Sequence, residues 1–220
     1  MFVCGRMLLD VIEERKQNMT DVERASEAAL KAIETTRRGC DYYAMQKAVD
    51  TLLARIVHDT SEAAFRIRAK VNYERHMAAW QQGHINDSMN LAVLSKEAAI
   101  KGNDAIGVLF AEMNIGGHLL PALGEWQEGL YLLAGVCNSA NAILAQEATP
   151  EARLRAQRVA MNGYALRIRI AIENTEFWLA VEEWLGELRK NPVFLSYKGE
   201  EWADTLVRDA EAFVHEGRTS

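Results

Sequence analysis

The chain has 220 residues, a formal net charge of -6 and a hydrophobic content of 49%, enough to bury a large core. Its pI near 5.5 excludes a global basic footprint for nucleic acid. Three prolines in the whole chain enforce few breaks and suit long helices.

The first residues, Met1 to Lys16, carry an apolar stretch interrupted by Arg6 and Asp10. That is too short and too charged for a secretory signal, and no uninterrupted apolar run approaches the roughly 20 residues of a membrane span. Met7 and Met19 are alternative starts. Residues 1–19 are read as an N-terminal helical extension and 20–220 as one helical repeat domain. Cys4, Cys40 and Cys137 are distant from one another and lack a CxxC pair, so no disulfide framework or metal site is expected, and a reduced cytoplasmic setting follows.

From residue 20 onward helical periodicity dominates. Met45, Ala48, Val49, Leu52, Leu53 and Ile56 form one stripe, and Leu130, Leu133, Ala134, Cys137 and Leu144 form another. Phe177, Val181, Trp184, Leu185 and Leu188 make a third, and Trp202, Leu206, Ala210 and Phe213 a last one. All follow the 3.6-residue period, and no alternating strand pattern appears. The breaks fall at Gly39-Cys40-Asp41, Gly83 to Asp87, Gly102-Asn103-Asp104, Leu123-Gly124-Glu125, Thr149-Pro150-Glu151 and Asn191-Pro192. Glycine is expected to take the left-handed position after a helix, with Asp or Asn capping the next. Hairpins are predicted at about 20–57, 60–101, 104–145 and 150–190, with turns near 39, 83, 124 and 174 and a closing helix at about 198–216. The fold class is therefore all-α: an α-α superhelix, or solenoid, of about four antiparallel helical hairpins plus a C-terminal capping helix.

In the middle of the chain, Asn114-Ile115-Gly116, Leu123-Gly124-Glu125-Trp126 and Gly129-Leu130-Tyr131 resemble the tetratricopeptide repeat pattern, and Gly83, Ser88 and Ala92 fit a preceding repeat more loosely. The likeness covers roughly residues 60–145. The spacing exceeds the usual period of about 34 residues, which makes this a degenerate, long-helix version. The resemblance implies a right-handed superhelix whose first helices line a concave, peptide-binding surface.

Three first helices each carry an asparagine at a matched place: Asn72, Asn114 and Asn162. A side-chain amide offers donor and acceptor together and can pair with a peptide backbone regardless of sequence. The alternative is bonding within or between helices. Four residues before them stand Arg68, Phe110 and Arg158, and four after the first two stand His76 and His118, on the same faces. Each histidine is equally a locally bonded imidazole. Arg155, Arg158, Asn162 and Arg169 lie close to one face of the fourth pair's first helix, where guanidinium forks suit carboxylate or phosphate. Their alternative partners are Glu182, Glu183 and Glu187. No enzyme motif stands out. The expected function is a non-enzymatic protein- or peptide-binding module with no cofactor or metal, taking a segment that includes acidic sequences but neither nucleic acid nor membrane. Homo-oligomers are compatible with it. The rival readings are a self-assembling scaffold, a ligand-sensing regulatory domain, and a helical enzyme of unknown type.

Overall fold

The structure is a computed structural model that describes residues 20–146, 149–175 and 177–219. The expected extension at 1–19 lies outside the described residues. Among the described residues every regular element is a helix and no strand occurs.

The helices are α1 (Asp21–Arg38), α2 (Tyr42–Arg55), α3 (Glu62–Gln81), α4 (Ile85–Lys101) and α5 (Ala105–Asn114). A π-helical turn, Ile115–Leu119, follows, then α6 (Leu120–Ala122), α7 (Trp126–Ala145) and α8 (Pro150–Asn174). The chain ends with α9 (Trp178–Lys190), α10 (Pro192–Leu195) and α11 (Glu201–Thr219). The four expected turns all separate consecutive helices. The chain divides into two compact units, residues 1–111 and 112–220.

In the first unit α1 packs on α2 and on α3, and α3 packs on α4. Ile33, Met45, Val49, Leu52, Ile56, Ile67 and Val71 fill its core. In the second unit the π turn and α6 pack on α7, α7 on α8, α8 on α9, and α11 on α8 and α9. Leu133, Val136, Cys137, Val159, Ile168, Val181 and Leu188 are fully buried there.

The helix starts follow local chemistry. Thr20 and Glu23 form a capping box at α1, and Asp41 accepts from the Ala44 amide at 3.0 Å. Ser61 and Thr149 cap α3 and α8 in the same way, with Pro150 at the first helical position of α8. These side chains satisfy amide groups that the helix leaves without a partner. Asn191-Pro192, read as a stop, also starts α10, because Asn191 accepts from the Val193 and Phe194 amides.

Two caps depart from expectation. Gly83 and Gly124 have φ of 76° and 85°, but at the other turns the left-handed residues are Cys40 and Asn103, at 58° and 52°. The chain turns one residue later there. Gly102 answers a different need: a Cβ on it would stand 2.8 Å from Arg66 Cγ. Phe177, expected on an apolar stripe, precedes α9 and is 60% exposed.

The π turn has a cause in sequence. Pro121 carries no N–H for the carbonyl four residues back, and its ring crowds that carbonyl. The chain widens, and the Leu120 amide donates to Ile115 instead. Gly116 and Gly117 let this wide turn sit against neighbours: Cβ atoms there would meet Gly129 O at 3.0 Å and Leu166 Cδ1 at 2.4 Å. The segment Ala105–Ala122 is also, by length and composition, long and apolar enough to cross a membrane, a test that core helices of soluble proteins pass as well.

Candidate functional site

The expected polar residues fall into two environments. On α3, Arg68 is committed to backbone: its Nη2 donates to the carbonyls of Ile56 and Asp59, the latter at 2.8 Å. Its guanidinium also lies 4.9 Å from the Phe65 ring centroid. Arg68 thereby fastens the end of α2 and the following linker to α3. His76 is only 2% exposed. Its Nδ1 lies 2.7 Å from Ser88 Oγ, which also reaches the His76 carbonyl at 3.1 Å. The imidazole thus joins α3 to α4. Between them Asn72 is half-buried.

Around the π turn, Asn114 is 3% exposed, while Phe110 and His118 are half-buried. Asn114 and His118 belong to the second unit and Asn72 and Phe110 to the first.

On α8 the arrangement is open. Helical geometry, at 100° per residue, sets Arg155, Arg158, Asn162 and Arg169 on one side and Ala160, Tyr164, Arg167 and Ala171 on the other. The second set faces the interior: Ala160, Tyr164 and Ala171 are buried. In the first set Arg158 and Arg169 are exposed, and Arg155 and Asn162 half-buried. Arg169 pairs at 3.5 Å with Glu173, one turn on. Of the acids of α9, Glu182 pairs with Arg218 of α11 and Glu187 with Lys190, while Glu183 is exposed. Arg158 has no ion-pair partner among the described residues. The stripe from Arg155 to Arg169 rises roughly 21 Å along the axis.

The interior face of α8 holds a cluster that the sequence pattern does not single out. Arg167 Cζ lies 3.9 Å above the Trp184 ring, and its Nε is buried without a hydrogen-bond partner. Burial pushes the Cys137 thiol up to about 11, although Arg167 pulls it back. Nearby, Asn141 Nδ2 donates to the Tyr164 hydroxyl at 3.1 Å. A signal for it does exist in the register, since Arg167 stands at i+3 from Tyr164 and i+7 from Ala160, on the apolar side.

The first unit contributes a largely buried ion pair, Arg37 to Glu74 at 2.5 Å, which links α1 to α3. Burial raises the Glu74 carboxyl despite the Arg37 guanidinium beside it. A shallow groove of about 310 Å³ lies along α1 and α2, lined by Ala29, Ala48, Leu52, Lys47 and Arg55 among others. Among the described residues no three His, Cys, Asp or Glu side chains stand close enough together to hold a metal ion.

No known protein family, curated protein or solved structure matches the chain.

Proposed function

We propose that the chain is a non-enzymatic binding module that takes an extended segment of another protein along the first helices of its hairpins, in the manner of tetratricopeptide-like solenoids. The carrying observation is the open stripe of α8, where Arg155, Arg158, Asn162 and Arg169 share one face. A half-buried amide between solvated guanidinium groups can pair with a peptide backbone while its neighbours select charge. Arg68 and His76 play a different part in this reading. They hold α3 against α2 and α4 and so position the helix that presents Asn72.

The test is an array of unstructured peptides of acidic, basic and apolar composition. It is probed with the wild-type chain and with Arg158→Ala/Asn162→Ala. Both substitutions fall on residues that retain solvent contact, so the fold is expected to persist. Selective loss of a peptide class on the double variant supports the reading. Equal retention of every peptide by both proteins rejects it. Light scattering across concentration separates the scaffold alternative, because a concentration-independent monomer is incompatible with self-assembly.

A further inference from the structure

We propose that the α8 stripe docks an extended, carboxylate-rich protein segment whose acidic side chains are spaced to match Arg155, Arg158 and Arg169; this rests on the peptide-binding reading above and names its ligand. Three observations carry it. Arg158 is exposed and no acid of the chain reaches it among the described residues. Of the acids best placed in sequence to neutralise the stripe, Glu182 is occupied by Arg218 and Glu187 by Lys190, and Glu183 is exposed and forms no ion pair with the stripe among the described residues. Glu173 on Arg169 forms a solvent-exposed i, i+4 pair, which contributes little and yields readily to a better-held carboxylate, and Arg155 has an interaction of its own within the chain. A row of guanidinium groups on a chain of net charge -6 is a local exception that favours an acidic partner.

The geometry sets the spacing. Arg155 and Arg158 are separated by roughly 4.5 Å of helix rise, and Arg158 and Arg169 by roughly 16 Å. An extended peptide advances about 3.3 Å per residue. The complementary segment therefore carries two acids within one or two residues and a third about five residues farther along. Asn162, between Arg158 and Arg169, then faces the backbone linking them and can give and accept one hydrogen bond each way. Carboxylate is preferred to nucleic acid because no aromatic side chain interleaves with these arginines on the stripe, so bases would find no stacking surface.

The experiment uses the full chain and fluorescein-labelled peptides of about twelve residues in a Ser/Ala/Gln background, read by anisotropy at low salt. One peptide has an Asp pair with a third Asp five residues on. A second has the three Asp contiguous, a third has none, and a fourth carries phosphoserine at the Asp positions. A single-stranded oligonucleotide is the last probe. The spaced acidic peptide is expected to bind at least five-fold tighter than the contiguous one. Its binding should weaken about ten-fold with Arg158→Glu and several-fold as salt rises. Arg158→Lys should recover part of the loss, since it restores charge without the planar fork. Circular dichroism of each variant verifies the helical fold. Equal binding of spaced, contiguous and neutral peptides, insensitive to Arg158→Glu, overturns the carboxylate assignment and leaves the peptide-binding reading standing. Tighter capture of the phosphoserine peptide or the oligonucleotide overturns it in favour of that ligand. Absence of binding to every probe overturns it too, and the array of acidic, basic and apolar peptides then decides the broader reading separately.

Discussion

Gly116 and Gly129 face each other backbone to backbone: a Cβ on Gly129 would stand 2.5 Å from the Gly116 carbonyl oxygen. Each belongs to a different element, the π turn and α7, and neither leaves room for a methyl group. The contact explains why two glycines sit within otherwise good helix formers, where glycine alone costs stability.

Gly129→Ala should therefore destabilise the chain by about 1–3 kcal/mol through overpacking, with the π turn and α7 forced apart. Gly135 supplies the internal control. It lies on the exposed side of the same helix, and a methyl group there would have nothing within 4 Å, so Gly135→Ala should stabilise by about 0.5–1 kcal/mol. Urea denaturation followed by circular dichroism reads both. Equal effects of the two substitutions would remove the close approach as the explanation.

A second relationship ties together three helices of the first unit. Arg66 of α3 donates to Glu23 of α1 at 2.8 Å and to the Gly102 carbonyl at the end of α4 at 2.9 Å. Burial acts to raise the Glu23 carboxyl, but the Arg66 and Thr20 hydrogen bonds overcome it and hold it below the usual carboxylate value. The sign follows from linkage. With the folded value depressed, this stabilisation is complete above the unfolded carboxyl's ordinary pKa. It declines as pH falls through the folded value, and below both values it is gone. Glu23→Gln should flatten that part of the acid limb, while Arg66→Ala should cost about 1–2 kcal/mol near neutrality. Thermal melts of wild type and both variants between pH 3 and 7 measure it, and parallel wild-type and Glu23→Gln curves would contradict the assignment.

The two units differ in how far sequence exposes their chemistry. The hairpin turns at 39, 83, 124 and 174 are legible because glycine, asparagine and aspartate mark helix ends by backbone requirements that act locally. The roles of Arg68 and His76 are not legible. α3 packs against α1, α2 and α4, and its buried residues, among them Ala63, Ala64, Ile67, Ala69, Val71 and Ala79, spread around the helix. A helix buried on several sides has no single polar face for periodicity to find. On α8 the register of Arg155, Arg158 and Asn162 is readable. What sequence cannot decide is whether Glu182, Glu183 and Glu187 neutralise them, because for Glu182 that depends on α11 bringing Arg218 to it. The π turn is hidden for a further reason: Pro121 stands in a short apolar run, where its effect on the preceding turn is read only with Gly116 and Gly117 in view.

The two cysteines among the described residues should separate cleanly by reactivity. Cys40 is exposed and Cys137 is buried, with its thiol pushed up to about 11 by burial. The thiolate is the nucleophile, so at pH 8 only about one Cys137 thiol in a thousand is ionised, before access is considered. Iodoacetamide at pH 8 followed by peptide mass mapping should modify Cys40 at least about 100-fold faster than Cys137. Denaturant should abolish the difference. Rapid labelling of Cys137 in the folded chain would show that α7 and α8 separate far more often than their packing implies.

Arg167 offers the sharpest separation of charge from packing. Its guanidinium covers the Trp184 ring, yet its Nε is buried without a hydrogen-bond partner and no carboxylate pairs with it among the described residues. The favourable part is cation–π attraction and side-chain packing on the indole; the unfavourable part is desolvation of a charge that recovers few hydrogen bonds. Arg167→Met keeps most of the volume and discards the charge. It should leave stability within about 1 kcal/mol of wild type or raise it. Arg167→Ala discards both and uncovers Trp184, so it should cost about 1–3 kcal/mol and shift the tryptophan emission toward that of a solvated indole. Chemical denaturation and fluorescence of the two variants decide the matter. A large loss with Arg167→Met, comparable with that of Arg167→Ala, would mean that the charge itself holds α8 to α7 and α9 through its bond to the Cys137 thiol, and that the thiol is a structural partner and not a bystander.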